Sequence, residues 1–106
     1  MLKVIMFISI FLMPSFVLAG WTNSRGAVTN IYSHNGIVII HTGIDDGPCD
    51  NKGGFWWDVN DPDSDIMLSL ALVSFSTGSE IAVVYDSDAP NCTFSNSHMT
   101  HLHLVK

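Results

Sequence analysis

The chain has 106 residues, of which 47% are hydrophobic, and its four Lys and Arg against ten Asp and Glu give a net charge of −6 at pH 7. That length fits a single domain. An acidic chain lacks the basic face that phosphate binding needs, so nucleic acid is excluded as a predicted partner and an anionic membrane surface is disfavoured.

The first segment, residues 1–19, is predicted to be a secretory signal peptide. A short basic start is followed by a mostly apolar run over 4–17, and Val17 and Ala19 are the small residues that precede a cleavage site. The run is too short to cross a membrane, and no second run follows it. We therefore expect residues 20–106 to form one exported domain, periplasmic or secreted, with no membrane span after cleavage.

Two strands and a tight turn are predicted next. The stretch Ala27–Tyr32 is followed by His34-Asn35-Gly36, and Asn-Gly suits the positive φ angles of a two-residue hairpin. The next stretch, Ile37–Thr42, is β-branched almost throughout and apolar on both faces, which is typical of a central strand. These two strands are expected to form a hairpin.

The only cysteines of the chain are Cys49, in the loop over 43–54, and Cys92. In an exported domain a lone pair of cysteines usually forms one disulfide, although two free buried thiols are the alternative. A bridge across 43 residues contributes about 4 kcal/mol in the chain-entropy model. Because a small domain has a total stability of about 5–15 kcal/mol, such a bridge would be decisive.

A third strand is predicted over 55–59. Side chains alternate along a strand, so Phe55, Trp57 and Val59 are expected in the core and Trp56 on the opposite face. An exposed indole beside Asp58 could stack on a sugar or enter a protein interface, since its flat apolar face also carries an N–H group. Trp56 and Asp58 are therefore the candidate binding face. The alternative is that Trp56 is buried under the helix that follows or under the polar lead-in, Trp21–Arg25.

Near 62–77 the spacing of the apolar residues changes from that of a strand to that of a helix. Asp61 suits the N-cap, Pro62 the first helical position and Gly78 the C-terminal stop. Apolar residues cover more than half of the helix circumference, so we expect the helix to be covered on most sides. It is expected to cap one end of a barrel with three side chains buried, namely Leu68, Leu72 and Phe75.

Two further strands are predicted over Glu80–Tyr85 and His98–Val105, separated by a loop that holds Cys92. The chain is thus mainly β with one helix, in the order β-β-β-α-β-β. With the helix between the third and fourth strands, this is the order of a five-stranded OB-fold-like barrel.

Short stretches spread over most of the exported domain carry a resemblance to known proteins. They are Val28–Tyr32, Gly36–Ile40, Cys49, Asp61-Pro62, Met67–Phe75, Thr77-Gly78, Ile81–Val84 and Cys92. In these stretches the chain resembles a family of small exported bacterial domains with one disulfide. Through Trp21-Thr22 and Phe75-Ser76-Thr77-Gly78 it is also similar to proteins that this family resembles, the B subunits of subtilase cytotoxin and typhoid toxin. Those subunits form pentamers and bind sialylated glycans. The resemblance implies an OB-fold and permits a homo-oligomer, but the bridge spacing differs, so no sugar specificity is carried across.

Two groups of residues suggest metals. Asp61, Asp63 and Asp65 have the spacing of the first three ligands of a calcium-binding loop, but the glycine and the glutamate that such a loop needs are missing. Acidic residues that cap the start of the helix are therefore the better interpretation. His101 and His103 fall on one face of the last strand and could bind zinc or copper, although no third ligand has a fixed spacing to them. A polar, solvent-facing strand explains these histidines equally well.

The function expected from these residues is non-enzymatic. No G-x-S-x-G motif is present, both cysteines are expected to be oxidised, and a domain of this size has little room for a substrate cleft. We expect an exported binding module without a cofactor, which recognises a glycan or a protein partner. A periplasmic metal-binding protein that uses His101 and His103 is the alternative.

Overall fold

A computed structural model describes residues 20–86 and 91–105 of the chain. The predicted signal peptide over 1–19 lies outside these residues. The described elements are β1 (Gly20–Trp21), β2 (Gly26–His34), β3 (Ile37–Thr42), β4 (Gly54–Asp58), α1 (Ser64–Thr77), β5 (Glu80–Tyr85), β6 (Cys92–Thr93) and β7 (Asn96–Leu104).

Five of the strands close into a ring. β2 pairs with β3 and β3 with β4, β4 runs parallel to β7, β7 pairs with β5, and β5 returns to β2 through Gly26 and Ala27. β1 and β6 are two-residue additions to β5 and β7. This ring, with α1 between its third and fourth strands, confirms the predicted OB-fold-like barrel.

The tight turn between β2 and β3 is also confirmed. Asn35 and Gly36 have φ angles of 48° and 84°, as a two-residue hairpin of the predicted kind requires. At the end of β4 the prediction for Val59 is wrong, because that side chain is 49% exposed. The Asp61 N–H donates to the Asp58 carbonyl oxygen at 2.8 Å, and this tight turn takes the chain out of the strand at residue 59.

The helix starts later than predicted. Asp63, not Asp61, occupies the N-cap position, with φ 64° and no side-chain bond to the helix. The Asp61 carboxylate instead accepts a hydrogen bond from the Asp58 N–H at 3.0 Å. At the other end Gly78 has φ 79° and donates its N–H to the Ser74 carbonyl oxygen, as the predicted stop requires.

One face of α1 packs on the barrel, and the expected burial of Leu72 and Phe75 is wrong. These two side chains are 47% and 53% exposed, and Leu68 is partly buried against the core. The helix is seated through a buried serine: Ser74 Oγ accepts the Val28 N–H at 2.9 Å and donates to the Ser79 carbonyl oxygen at 2.6 Å. Because Ser74 faces inward, the larger side chains on other sides of the helix face solvent. The buried helix residues are Ser64, Met67, Ala71 and Ser74.

The burial of Phe55 and Trp57 and the disulfide are confirmed as predicted. Phe55 and Trp57 are fully buried, and Trp57 Nε1 donates to Ser64 Oγ at 3.0 Å, which joins β4 to the start of α1. Cys49 and Cys92 form a disulfide with their Cα atoms 5.9 Å apart. A disulfide indicates an oxidising compartment. None of the helices in the described part of the chain has the length and apolar character needed to cross a membrane.

Candidate functional site

A groove runs between the N-terminal half of α1 and strand β7. It consists of two adjoining cavities of ≈ 230 and ≈ 280 Å³ that share Asp63, Met67, Thr100 and His101 in their walls. Met67 and Leu102 are buried beneath it and make its lining partly apolar. We call it the α1–β7 groove. A concave surface with apolar lining and a few polar groups is the usual form of a binding site.

One end of the groove is a cluster of Asp61, His98 and Trp56. His98 Nε2 hydrogen-bonds Asp61 Oδ2 at 2.9 Å, and the His98 ring lies 4.6 Å from the Trp56 ring, centroid to centroid. The hydrogen bond from His98 lowers the pKa of Asp61, with help from the Asp58 N–H and against a smaller effect of burial. Asp61 is therefore an ionised carboxylate at neutral pH that holds the His98 ring in place.

The other end of the groove is an exposed indole. Trp21 is 50% exposed, and its ring centroid lies 6.4 Å from that of His101 and 5.8 Å from that of His103. Trp21 pairs with Val84 in the sheet. The neighbouring Thr22 is buried and exchanges hydrogen bonds with the Val83 backbone. The indole is thus presented by a short strand that the barrel holds firmly.

The segment after Trp21 is anchored by Asp46. Its carboxylate accepts the N–H groups of Asn23 and Ser24 and the Ser24 hydroxyl. Burial raises the pKa of Asp46, but these hydrogen bonds outweigh it and leave the pKa below its usual value. The lead-in that carries Trp21 is therefore tied down at both sides of Thr22.

Asp63 stands in both cavities of the groove. An aspartate at an N-cap normally accepts an N–H of the first helical turn, but the left-handed backbone of Asp63 leaves its carboxylate without such a bond. Its carbonyl oxygen is used by the Met67 N–H. The Asp63 carboxylate is thus available to a ligand in the groove.

The predicted binding residues Trp56 and Asp58 both have contacts within the domain. Trp56 lies on the face opposite Phe55 and Trp57, is half-buried, and donates Nε1–H to the Asn91 carbonyl oxygen at 3.0 Å. One Asp58 carboxylate oxygen accepts the Asn60 N–H at 2.8 Å. Their role in binding stays a prediction, and Trp56 adjoins the groove through His98.

The histidines of the alternative metal-binding interpretation, His101 and His103, are exposed and flank Trp21. Within residues 20–86 and 91–105, no three His, Cys, Asp or Glu side chains group in a way that would hold a metal ion. Sequence reasoning missed Trp21 and Asp63 as groove residues. The indole followed by a threonine was a visible signal for the first, whereas the second depends on a backbone conformation that the sequence does not reveal.

No protein-family model and no curated protein sequence matches the chain. Function is therefore inferred from the groove and its chemistry, together with the resemblance noted from the sequence.

Proposed function

We propose that the protein is an exported, non-enzymatic binding module that recognises a glycan or protein partner through the α1–β7 groove, in the periplasm or outside the cell. The observation that carries the proposal is the half-exposed Trp21 at one end of an apolar-lined groove. An exposed indole on a paired strand offers a flat apolar face and an N–H group to either class of partner. The resemblance to toxin B subunits supports the same class of function.

The chemistry of the groove supports binding over catalysis. Both cysteines of the chain are in the disulfide, so the chain offers no thiol nucleophile. The carboxylate of Asp61 already accepts hydrogen bonds from His98 and the Asp58 N–H. Because its pKa is lowered, it is a weak general base at neutral pH.

A homo-oligomer is part of the proposal. Outside the groove, α1 exposes three apolar side chains, and residues 66–79 include no charged residue at all. In an acidic chain, this is a surface on which two copies can meet without like-charge repulsion. The exposed apolar side chains are Leu72, Val73 and Phe75, whereas Ile66 lines the groove.

The test is a ligand screen against two collections, an array of glycans and a display library of random peptides. We expect the purified domain to select ligands from at least one of them. Trp21→Ala should weaken the selected interaction at least about tenfold, because it removes the main exposed aromatic contact of the groove. Tyr32→Ala is the matched control, since Tyr32 is a 43% exposed aromatic on β2 that does not line the groove.

Two results would contradict the proposal. The first is a folded, pure domain that binds no glycan on the array and selects no peptide from the library. The second is a selected ligand whose affinity is the same for the wild type and for Trp21→Ala.

A further inference from the structure

The α1–β7 groove is lined by two carboxylates. Asp61 lines the end near the start of α1 and Asp63 lies where the two cavities meet, whereas Arg25 lies in a separate hollow on the far side of Trp21. In the part of the chain that the structure describes, the basic residues are Arg25 and Lys52, and neither lines the groove. The carboxylates of the groove therefore have no Lys or Arg partner within it.

The two carboxylates differ in what they already bind. Asp61 is joined to His98 and to the Asp58 N–H. Asp63 forms no side-chain bond to the helix that it precedes. A cation in the groove would therefore meet the Asp63 carboxylate without first breaking a bond within the domain.

The cavity next to Trp21 has a largely apolar lining. Met67, Leu70 and Leu102 line the cavity that ends at the Trp21 indole, and Met67 and Leu102 are almost fully buried from solvent. A ligand complementary to this surface carries a positive charge at one end and an apolar or aromatic group beside it. A neutral or acidic sugar supplies neither a positive charge nor a long apolar side chain.

We infer that the α1–β7 groove binds a short segment of a protein partner that carries a Lys or Arg next to an apolar side chain. The cationic group pairs with the Asp63 carboxylate, and the apolar side chain packs on Met67 and Leu70 toward Trp21. This rests on the proposed function and assigns its partner class. It is an argument from charge and shape complementarity in a groove whose walls belong to one chain.

The experiment uses the wild-type mature domain and Asp63→Asn against a phage-displayed library of random heptapeptides at neutral pH. Wild-type selection should enrich Lys or Arg beside an apolar residue. The most enriched sequence, synthesised as a free peptide, should bind Asp63→Asn about tenfold more weakly, because a charge-assisted hydrogen bond is lost. Its affinity for the wild type should also fall as salt is added.

Asp65→Asn is the matched control, because it removes the same charge two residues along the chain, from an exposed side chain that lies outside both cavities of the groove. It should leave the affinity within about twofold of wild type. Thermal unfolding of both variants should stay close to that of wild type, since asparagine tolerates the left-handed backbone of residue 63. A loss of affinity without a loss of stability separates a ligand contact from a structural role.

The inference is overturned if the enriched peptides carry no Lys or Arg, or if Asp63→Asn and Asp65→Asn bind them equally well. Binding to the glycan array alone overturns it too, although the proposed function would survive that result. If the domain binds neither peptides nor glycans, the proposed function fails with it.

Discussion

Asp61 shows how a single carboxylate can leave the position that its sequence context favours. As an N-cap it would have accepted a helical N–H, but in the structure it binds the Asp58 N–H and the His98 ring. The structure thereby joins the end of β4, the start of α1 and strand β7 at one side chain. The sequence does not reveal this role, because His98 lies 37 residues away.

Asp61→Asn is expected to destabilise the domain in a pH-dependent way. The pKa of Asp61 is lowered below its usual 3.8 by the His98 hydrogen bond. The ionised Asp61 carboxylate therefore stabilises the fold fully at pH values above the usual pKa of 3.8. This stabilisation is lost as the pH falls through the lower pKa that Asp61 has in the folded state. At neutral pH the variant should lose about 1 kcal/mol of unfolding free energy, less than the ~1.5–3 kcal/mol of a buried hydrogen bond to a charged group, because both side chains of the pair are partly exposed to solvent.

Urea unfolding at a series of pH values checks this. The difference in unfolding free energy between wild type and Asp61→Asn should shrink as the solution is acidified below the usual pKa of an aspartate. Asp50→Asn, at an exposed carboxylate, should stay near wild type throughout. A difference that does not change with pH would show that Asp61 acts through packing and not through its charge.

Ser74→Ala is expected to weaken the attachment of α1. The substitution leaves the buried Val28 N–H and the Ser79 carbonyl oxygen without their present partner, which costs about 1–3 kcal/mol. Ser76→Ala is a close control, because the Ser76 hydroxyl is exposed and bonds only to the Leu72 carbonyl oxygen within the helix. Equal denaturant midpoints for the two variants would contradict the claim that the Ser74 hydrogen bonds hold α1 on the barrel.

At the scale of the element, the strands were more predictable than the helix. The bounds of β3 and β5 match the prediction because β-branched runs between clear turns leave little choice of strand. The position of α1 was predicted to within two residues at its start, but its buried face was not. Apolar residues surround this helix almost evenly, so its sequence pattern does not show which side packs on the barrel. The side that packs includes the buried Ser74, which is hydrogen-bonded to Val28 and Ser79.

The apolar outer side of α1 predicts self-association. Leu72→Ser removes an apolar side chain that is 47% exposed, so it should shift the domain toward monomer with little effect on folding. Light scattering over a range of concentrations measures this, and Val59→Ser, at a similarly exposed position outside the helix, is the control. A wild-type domain that is monomeric at all concentrations would contradict the proposed homo-oligomer.

At the scale of the whole molecule, the closed ring follows from the predicted order of elements, whereas the groove does not. The order β-β-β-α-β-β predicts which strands are neighbours in an OB-fold. The two-residue strand β1 was not predicted, since a polar lead-in gives no strand pattern, and it is β1 that places Trp21 beside His101 and His103. Sites made by such long-range pairing are visible only in the folded chain.

The disulfide is expected to contribute a large part of the stability of so small a domain. Replacing Cys49 and Cys92 together by serine should lower the unfolding free energy by about 4 kcal/mol, because the unfolded chain regains the freedom of the loop. Denaturant unfolding measures this, and wild type treated with a reductant should behave in the same way. A loss of less than about 1 kcal/mol would show that the barrel is stable without the bridge.

The central claim is that partners bind in the α1–β7 groove, and the most direct measurement is a two-dimensional NMR titration of the mature domain with a selected ligand. The three indole N–H signals report on Trp21, Trp56 and Trp57 separately. We predict that the NMR signals of the Trp21 indole N–H and of the backbone amides of Asp63 and His101 shift together, whereas the signal of the buried Trp57 indole does not change. Shifts centred on the β2–β3 hairpin, with an unmoved Trp21, would contradict the account.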